Sequence, residues 1–298
     1  MINRSSIKYH LKKILPRSIF RLILVIWQKV LLRVVEKIYA LRLRKFTEPH
    51  VVTLTHKGST FSLLISPNNG FIDKHTFLYG VYEPFILDLF AEHLSKGKTF
   101  IDIGANIGQH SMYAATLVGP TGSVHAFEPI PTIYRQLTQS IQANHFEGII
   151  HSHNVALGTD NTDELLYVAN NAGGSSLVNN TDTKETITVH IRNGDKELEA
   201  CEHIDVIKID VEGYEYEVLQ GIRKTLEKHQ PILFLEFSGD SYKMQNKSHG
   251  MKILSLLRSC GYSLFDIEDT MMEVTNDIAF DATIANIRKQ TNLLCICK

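Results

Sequence analysis

Charge of one sign, cysteine and long apolar runs are what this sequence has least of. Its 298 residues carry 31 Lys and Arg against 32 Asp and Glu, a formal net charge of −1, so the whole-chain balance marks neither a nucleic-acid binder nor a protein for acidic substrates. The four cysteines, Cys201, Cys260, Cys295 and Cys297, have neither the number nor the spacing of a disulfide framework or a zinc site. They read as reduced core residues of a cytoplasmic protein, the last two pointing the same way along a strand. No purely apolar run exceeds Leu22–Trp27, six residues, whereas a membrane-spanning helix needs about 20. A secretory signal fits poorly, because that apolar region is short and no small-residue cleavage site follows it.

What is present is a chain with 44% hydrophobic and 21% charged residues, enough to bury a large core. Its charge is uneven. Twelve of the Lys and Arg fall within residues 1–46 against Glu36 alone, leaving nineteen bases against thirty-one acids in the remainder. From Arg17 to Phe46 the pattern predicts a basic amphipathic helix, with Arg17, Arg21, Lys29, Arg33 and Lys37 recurring on one face and Trp27 on the apolar side. Such a helix suits peripheral contact with the inner face of an anionic membrane; a helix packed on the domain or on a partner is the alternative.

Residues 48–96 read as a β-hairpin (Val51–Ile65) and a helix (Tyr82–Leu94). Beyond Gly97, apolar runs alternate with helix-length segments, the pattern of a parallel sheet wound with helices on both faces. Strands are expected at Thr99–Ile103, Ser123–Glu128, Ile149–Ala156, Asp205–Asp210, Ile232–Phe237, Tyr262–Ile267 and Leu293–Cys297. Helices are expected at Ile107–Val118, Pro131–Asn144, Glu215–Lys228 and Gly250–Cys260, with two further strands in an insertion between Leu165 and Ile191.

The sharpest local signal is Phe100-Ile-Asp-Ile-Gly-Ala-Asn-Ile-Gly108, an apolar strand running into a glycine loop that includes Asn106 and then into a helix. Gly104 allows the turn and Gly108 a close approach of the helix to the sheet. The spacing is not the Gly-x-Gly-x-x-Gly of a dinucleotide site, and Asp102 puts a carboxylate where a pyrophosphate wants none; a cofactor bearing an ammonium and a sulfonium suits it better. Twenty residues after Gly108, Glu128 ends the next strand where ribose hydroxyls are held. Asn154, ending the third, is a candidate for the adenine edge. Asp210 and Glu212 follow the fourth strand and Glu236 ends the fifth, so three more acids converge on the rim where open α/β sheets bind ligands. Helix capping is the alternative role for Asp210 or Glu212.

Phe100–Gly108, Phe127-Glu-Pro129, Asn154-Val-Ala-Leu-Gly158, Ser175-Ser-Leu177 and above all Lys208-Ile-Asp-Val-Glu-Gly-Tyr-Glu215 resemble the FkbM family of S-adenosylmethionine-dependent methyltransferases, over roughly Tyr79 to Cys297. The resemblance implies a Rossmann-like, doubly wound, seven-stranded sheet of the class I methyltransferase type; the residue pattern sets this domain at 97–298, after the 48–96 subdomain and the 1–47 extension, which lies outside the resemblance. It also implies S-adenosylmethionine as cofactor and methyl transfer to a hydroxyl of a sugar, glycan or natural product. Asp210 is the first candidate for general base, with Glu212 or Glu236 positioning the acceptor. Asp102, Gly104, Asn106, Gly108, Glu128 and Asn154 are the cofactor-binding candidates. No metal is required, although Asp210 and Glu212 are hard-cation ligands by type. The alternatives are a nicotinamide-dependent sugar-modifying oxidoreductase, which the missing third glycine disfavours, and a membrane-associated scaffold without activity.

Overall fold

The computed structural model describes residues 37, 40–66, 70–169, 183–238, 250–269, 271–288 and 290–297. The helix expected over Arg17–Phe46 lies largely outside them. The chain divides between Thr47 and Glu48 into two compact units. Residues 48–96, expected as a subdomain, belong to the same unit as the large sheet. Among the described residues no helix is long and apolar enough to cross a membrane.

The larger unit opens with a hairpin of β1 (His50–His56) and β2 (Ser59–Ile65), turned at Lys57-Gly58 with φ of 44° and 84°. Phe61, Leu63 and Ile65 alternate inward on β2. The edge of β2 is capped by α4 (Pro131–Asn144), whose Gln136, Ser140 and Asn144 recur once per turn. Asn144 Oδ1 accepts from the Ser62 N–H at 2.7 Å, Ser140 Oγ accepts from the Leu64 N–H at 3.0 Å, and Gln136 Nε2 donates to the Leu64 carbonyl at 2.7 Å. Backbone groups that would template another strand are thereby satisfied within the fold.

Two helices follow, α1 (Phe71–Tyr79), which the sequence pattern does not announce, and α2 (Pro84–His93). Then comes the wound sheet: β3 (Thr99–Ile103), α3 (Gln109–Val118), β4 (Ser123–Phe127), α4 and β5 (Ile150–His153). After a side excursion the chain returns through β9 (Val206–Ile209), helices α6 (Glu215–Gly221) and α7 (Arg223–His229), β10 (Ile232–Ser238), α8 (Gly250–Ser259), β11 (Tyr262–Asp266), β12 (Met272–Glu273), α9 (Asp277–Thr283) and β13 (Gln290–Cys297). The strand order is β12-β11-β13-β10-β9-β3-β4-β5. Strands β5, β4, β3, β9 and β10 run parallel, and β13 inserts antiparallel between β10 and β11. Seven strands were expected; the eighth is the two-residue β12.

The excursion is a smaller sheet in which β8 (Thr183–Asn193) pairs with β6 (Ala156–Gly158) and β7 (Thr162–Ala169), followed by one helical turn, α5 (Gly194–Glu197). The strand expected over Ile149–Ala156 therefore breaks. Its second half leaves the large sheet, and Asn154 marks the break by donating from Nδ2 to the carbonyls of Glu128 (2.8 Å) and Pro129 (3.1 Å).

Register divides the sheet faces. Asp102 sits opposite Lys208, and Lys208 opposite Phe234, so Phe100, Asp102, Lys208, Asp210, Phe234 and Glu236 share one face. Phe90 of α2 covers its lower half, 5.0 Å from Phe100 and 4.9 Å from Phe234 by ring centroids. The other face presents Ile101, Ile103, Ile207, Ile209, Leu233 and Leu235, all buried in an apolar core with α6, α7 and α8.

The single helix expected over Glu215–Lys228 is interrupted at Ile222. Gly221 lies so close to β6 that a Cβ there would meet the Gly158 carbonyl oxygen at 2.0 Å. Gly221→Ala should lower the unfolding free energy by about 3 kcal/mol, read as a shifted urea midpoint, because the neighbour is backbone and cannot swing aside. An unchanged midpoint would contradict this close approach.

Candidate active site

The C-terminal ends of β3, β4, β9 and β10 border a cleft of about 470 Å³. The sequence sets its floor. β3 ends and turns at Gly104 (φ 83°), where a Cβ would sit 1.9 Å from the Asp210 carbonyl oxygen; only glycine lets the first loop lie against the fourth strand tip. Gly108 also has positive φ (91°), but a Cβ there would meet Leu137 Cδ1 of α4 at 2.5 Å. It permits helix-on-helix packing where an approach to the sheet was expected, and it does not line the cleft.

Gly104, Asn106 and Glu128 do line it. Glu128 is 5% exposed, and its two carboxyl oxygens accept from the Ile130 N–H at 2.8 Å and the Asn106 N–H at 3.0 Å. Burial pushes its pKa up to about 7 against these hydrogen bonds. Asn106, at φ 51°, closes its own turn by accepting from the Ile107 N–H at 2.8 Å. Two other candidates are placed differently. Asn154 does not line the cleft, its amide being spent on the Glu128 and Pro129 carbonyls, while its neighbour Val155 does line it. Asp102 is fully buried beneath the loop, accepting from Ser111 Oγ at 2.6 Å, and faces Lys208 across the register instead of the open cleft.

Asp210, Glu212 and Glu236 come together on the opposite rim, all three lining the cleft. Asp210 Oδ2 accepts from Lys208 Nζ at 2.9 Å. Glu212 is held at φ 53° by Glu215, whose Oε1 accepts from the Val211 N–H (3.3 Å) and the Gly213 N–H (3.0 Å); the last acid of the Lys208–Glu215 motif thus folds the loop that presents Glu212. Burial, then the charges of Asp210 and Glu215, raise the Glu212 pKa to about 8. Burial and the same neighbours lift Glu236 well above the ordinary range, and its Oε1 accepts from Gln290 Nε2 at 3.1 Å.

Three contributors escaped the sequence reading. Burial disfavours the charge of Lys208, 5% exposed in mid-strand, but Asp210, Asp102 and Glu83 outweigh that and raise its pKa above the usual lysine range. Glu83, at φ 47° just before α2, has its pKa raised by burial to about 7; its Oε2 lies 3.7 Å from His110 Nε2. Tyr82 is clamped by Gln109, which accepts from its N–H and donates to its carbonyl, both at 2.7 Å. A lysine in an apolar strand carries a signal, since β-strand cores exclude unpaired charge. Glu83 and Tyr82 precede a helix and carry none.

The sequence profile of the methyltransferase FkbM domain matches residues 102–264. Hexuronic acid methyltransferase AglP of Haloferax volcanii is 29% identical over 147 residues, which cover 48% of this chain and 57% of that protein. Methyltransferase sdnD of Sordaria araneosa is 29% identical over 173 residues, covering 45% of this chain and 66% of its own. The chain thus spans about three fifths of the length of these relatives. A crystal structure of methyltransferase FkbM from Methylobacillus flagellatus aligns with 15% identity and a TM-score of 0.42, over 74% of this chain and 52% of that one.

Lys208→Met leaves Asp102 buried without its cation. The expected result is a loss of about 3–5 kcal/mol in unfolding free energy, measured by chemical denaturation near neutral pH. A loss below about 1 kcal/mol would mean that the ammonium does not hold the strand tips together.

Proposed function

The chain belongs to the FkbM methyltransferase family, and from that premise we propose that it transfers a methyl group from S-adenosylmethionine to a hydroxyl of a saccharide or natural-product acceptor. The observation that carries this reading is one cleft lined at one end by the Gly104 loop and Glu128 and at the other by Asp210, Glu212 and Glu236. The lining fits the cofactor. We assign the ribose diol to Glu128 and the adenine to the apolar lining of Ile107, Ile130, Ile133 and Leu157. Carboxylates outnumber the single lining lysine, whose ammonium already pairs with Asp210, so the cleft favours a cation and opposes a pyrophosphate. A nicotinamide dinucleotide is disfavoured on the same ground.

Bound there, S-adenosylmethionine supplies an electrophilic methyl group. The protein's part is to align the acceptor oxygen with that methyl, keep water out and take the hydroxyl proton. We assign the proton to Asp210, whose Oδ2 is engaged by Lys208, leaving Oδ1 for the acceptor. Glu212 and Glu236 flank it: Glu212, with a pKa of about 8, holds a proton near neutrality, burial raises the Glu236 carboxyl in the same direction, and we assign to both the positioning of neighbouring hydroxyls. The acceptor class also rests on the hexuronic acid named for the archaeal relative.

Two measurements test this reading. Asp210→Asn should cut transfer of labelled methyl to saccharide acceptors by about 100-fold or more while leaving S-adenosylhomocysteine affinity unchanged in calorimetry; retained turnover would remove Asp210 as the base. Adenosine, which has the ribose diol without the charged tail, should bind more tightly as pH rises through about 7. The reason is that two hydroxyl donors need the ionised form of Glu128, which is lost as pH falls through its raised pKa. Glu128→Gln should weaken adenosine binding and flatten that dependence; an unchanged pH profile in the variant would place the diol elsewhere.

A further inference from the structure

A second cavity, about 730 Å³, lies alongside the cleft, and Tyr82, Glu236 and Gln290 line both. Its size is that of a small-molecule site. The two cavities therefore adjoin along these three side chains. Within it, Phe85 remains 40% exposed, an aromatic surface left open among hydrogen-bonding side chains. That pairing grips a sugar: its C–H face lies on the ring and its hydroxyls bridge to carboxylate and amide oxygens. Glu83 and Asn292 are already joined there, Asn292 Nδ2 donating to Glu83 Oε1 at 3.4 Å.

The charge of the lining narrows the ligand. Glu83, Asp88, Glu236 and Glu268 contribute carboxyls, and among the described residues no Lys, Arg or His lines the cavity. The basic side chains that contact this lining are engaged with its acids: His56 Nε2 lies 2.8 Å and Lys57 Nζ 3.1 Å from Asp88, His110 Nε2 3.7 Å from Glu83, and Arg288 pairs with both Asp266 and Glu268. We propose that this groove is the acceptor subsite and that it admits uncharged or cationic saccharides while rejecting those that bear a carboxylate. The proposal rests on the methyltransferase reading above, and it separates this chain from the hexuronic acid acceptor in its relative's name.

The test is saturation-transfer NMR on the full chain loaded with S-adenosylhomocysteine, using methyl glucoside, methyl glucosaminide and methyl glucuronide as probes. The first two should show contact, and the glucuronide should bind about tenfold or more weakly than the glucoside. Phe85→Ala should weaken the glucoside, and Glu268→Gln with Asp88→Asn should narrow the gap to the glucuronide; all three positions are partly exposed, so the fold should tolerate them. Glucuronide binding equal to glucoside in the wild type overturns the charge selection. Glucoside binding unchanged by Phe85→Ala, or absent while the cofactor product binds, overturns the groove as the subsite. Failure of S-adenosylhomocysteine itself to bind would instead overturn the reading on which the groove depends.

Discussion

An ammonium buried between carboxylates organises this molecule. Lys208 stands in the middle of a parallel sheet, where an unpaired charge would cost several kcal/mol, and it is tolerable only because register places Asp102 on the neighbouring strand and Asp210 two residues on along the same face. Once that triplet is fixed, much else follows. Asp102 beneath the loop anchors α3 through Ser111, and Asp210 at the tip receives the backbone of Gly104 at a separation no side chain would allow. The loop after β3 is thus pinned from below by charge and from the side by van der Waals contact, and it carries the Asn106 N–H to the Glu128 carboxylate, which accepts from it.

The same face changes character along its length. Toward the strand starts it is aromatic, Phe100 and Phe234 meeting Phe90 of α2; toward the strand ends it is ionic. α2 serves both halves, because the chain enters it through Glu83, which adds a third acid to the neighbourhood of Lys208. Apolar burial holds the helix down, and the polar end of the same contact becomes one wall of the cleft. The opposite face, wholly apolar between the strands and α6, α7 and α8, gives the sheet the rigidity that keeps strand tips fixed relative to one another.

Much of this was legible in the sequence. Acids ending apolar strands are poor packing residues, and in a parallel sheet all strand ends of one direction share an edge, so Glu128, Asp210, Glu212 and Glu236 were bound to converge. The strand that continues as Gln290-Thr-Asn292 was read only from Leu293, because its polar start breaks the apolar pattern; pairing with Glu236–Ser238 keeps it in the sheet and brings Gln290 to the site. Asn154 and Asp102 were assigned to the ligand because sequence shows where a residue falls on a strand but not what its side chain meets. Each has a local partner that the strand pattern does not reveal. α1 has no periodicity to announce it, and Tyr82 and Glu83, read from spacing as the start of the helix over Tyr82–Leu94, fall ahead of α2, where tertiary contacts that include the Gln109 clamp set the backbone.

The crowding of acids on the rim has its own logic. Four carboxyls border the cleft, and burial together with repulsion from neighbouring acids leaves Glu128 near 7 and Glu212 near 8 and lifts Glu236 well above the ordinary range. Protonation near neutrality removes most of the repulsion that would otherwise splay the loops carrying them. A positively charged ligand reverses that balance, since each carboxyl that ionises beside it gains Coulombic energy in a site poor in water. Ionisation of the rim is therefore coupled to the binding of a cation. A site built from isolated, solvent-exposed carboxylates would already be ionised at neutral pH and would have no such coupling. The buried lysine makes the arrangement stable in both states, because its own charge is neutralised within the fold and does not compete for the ligand.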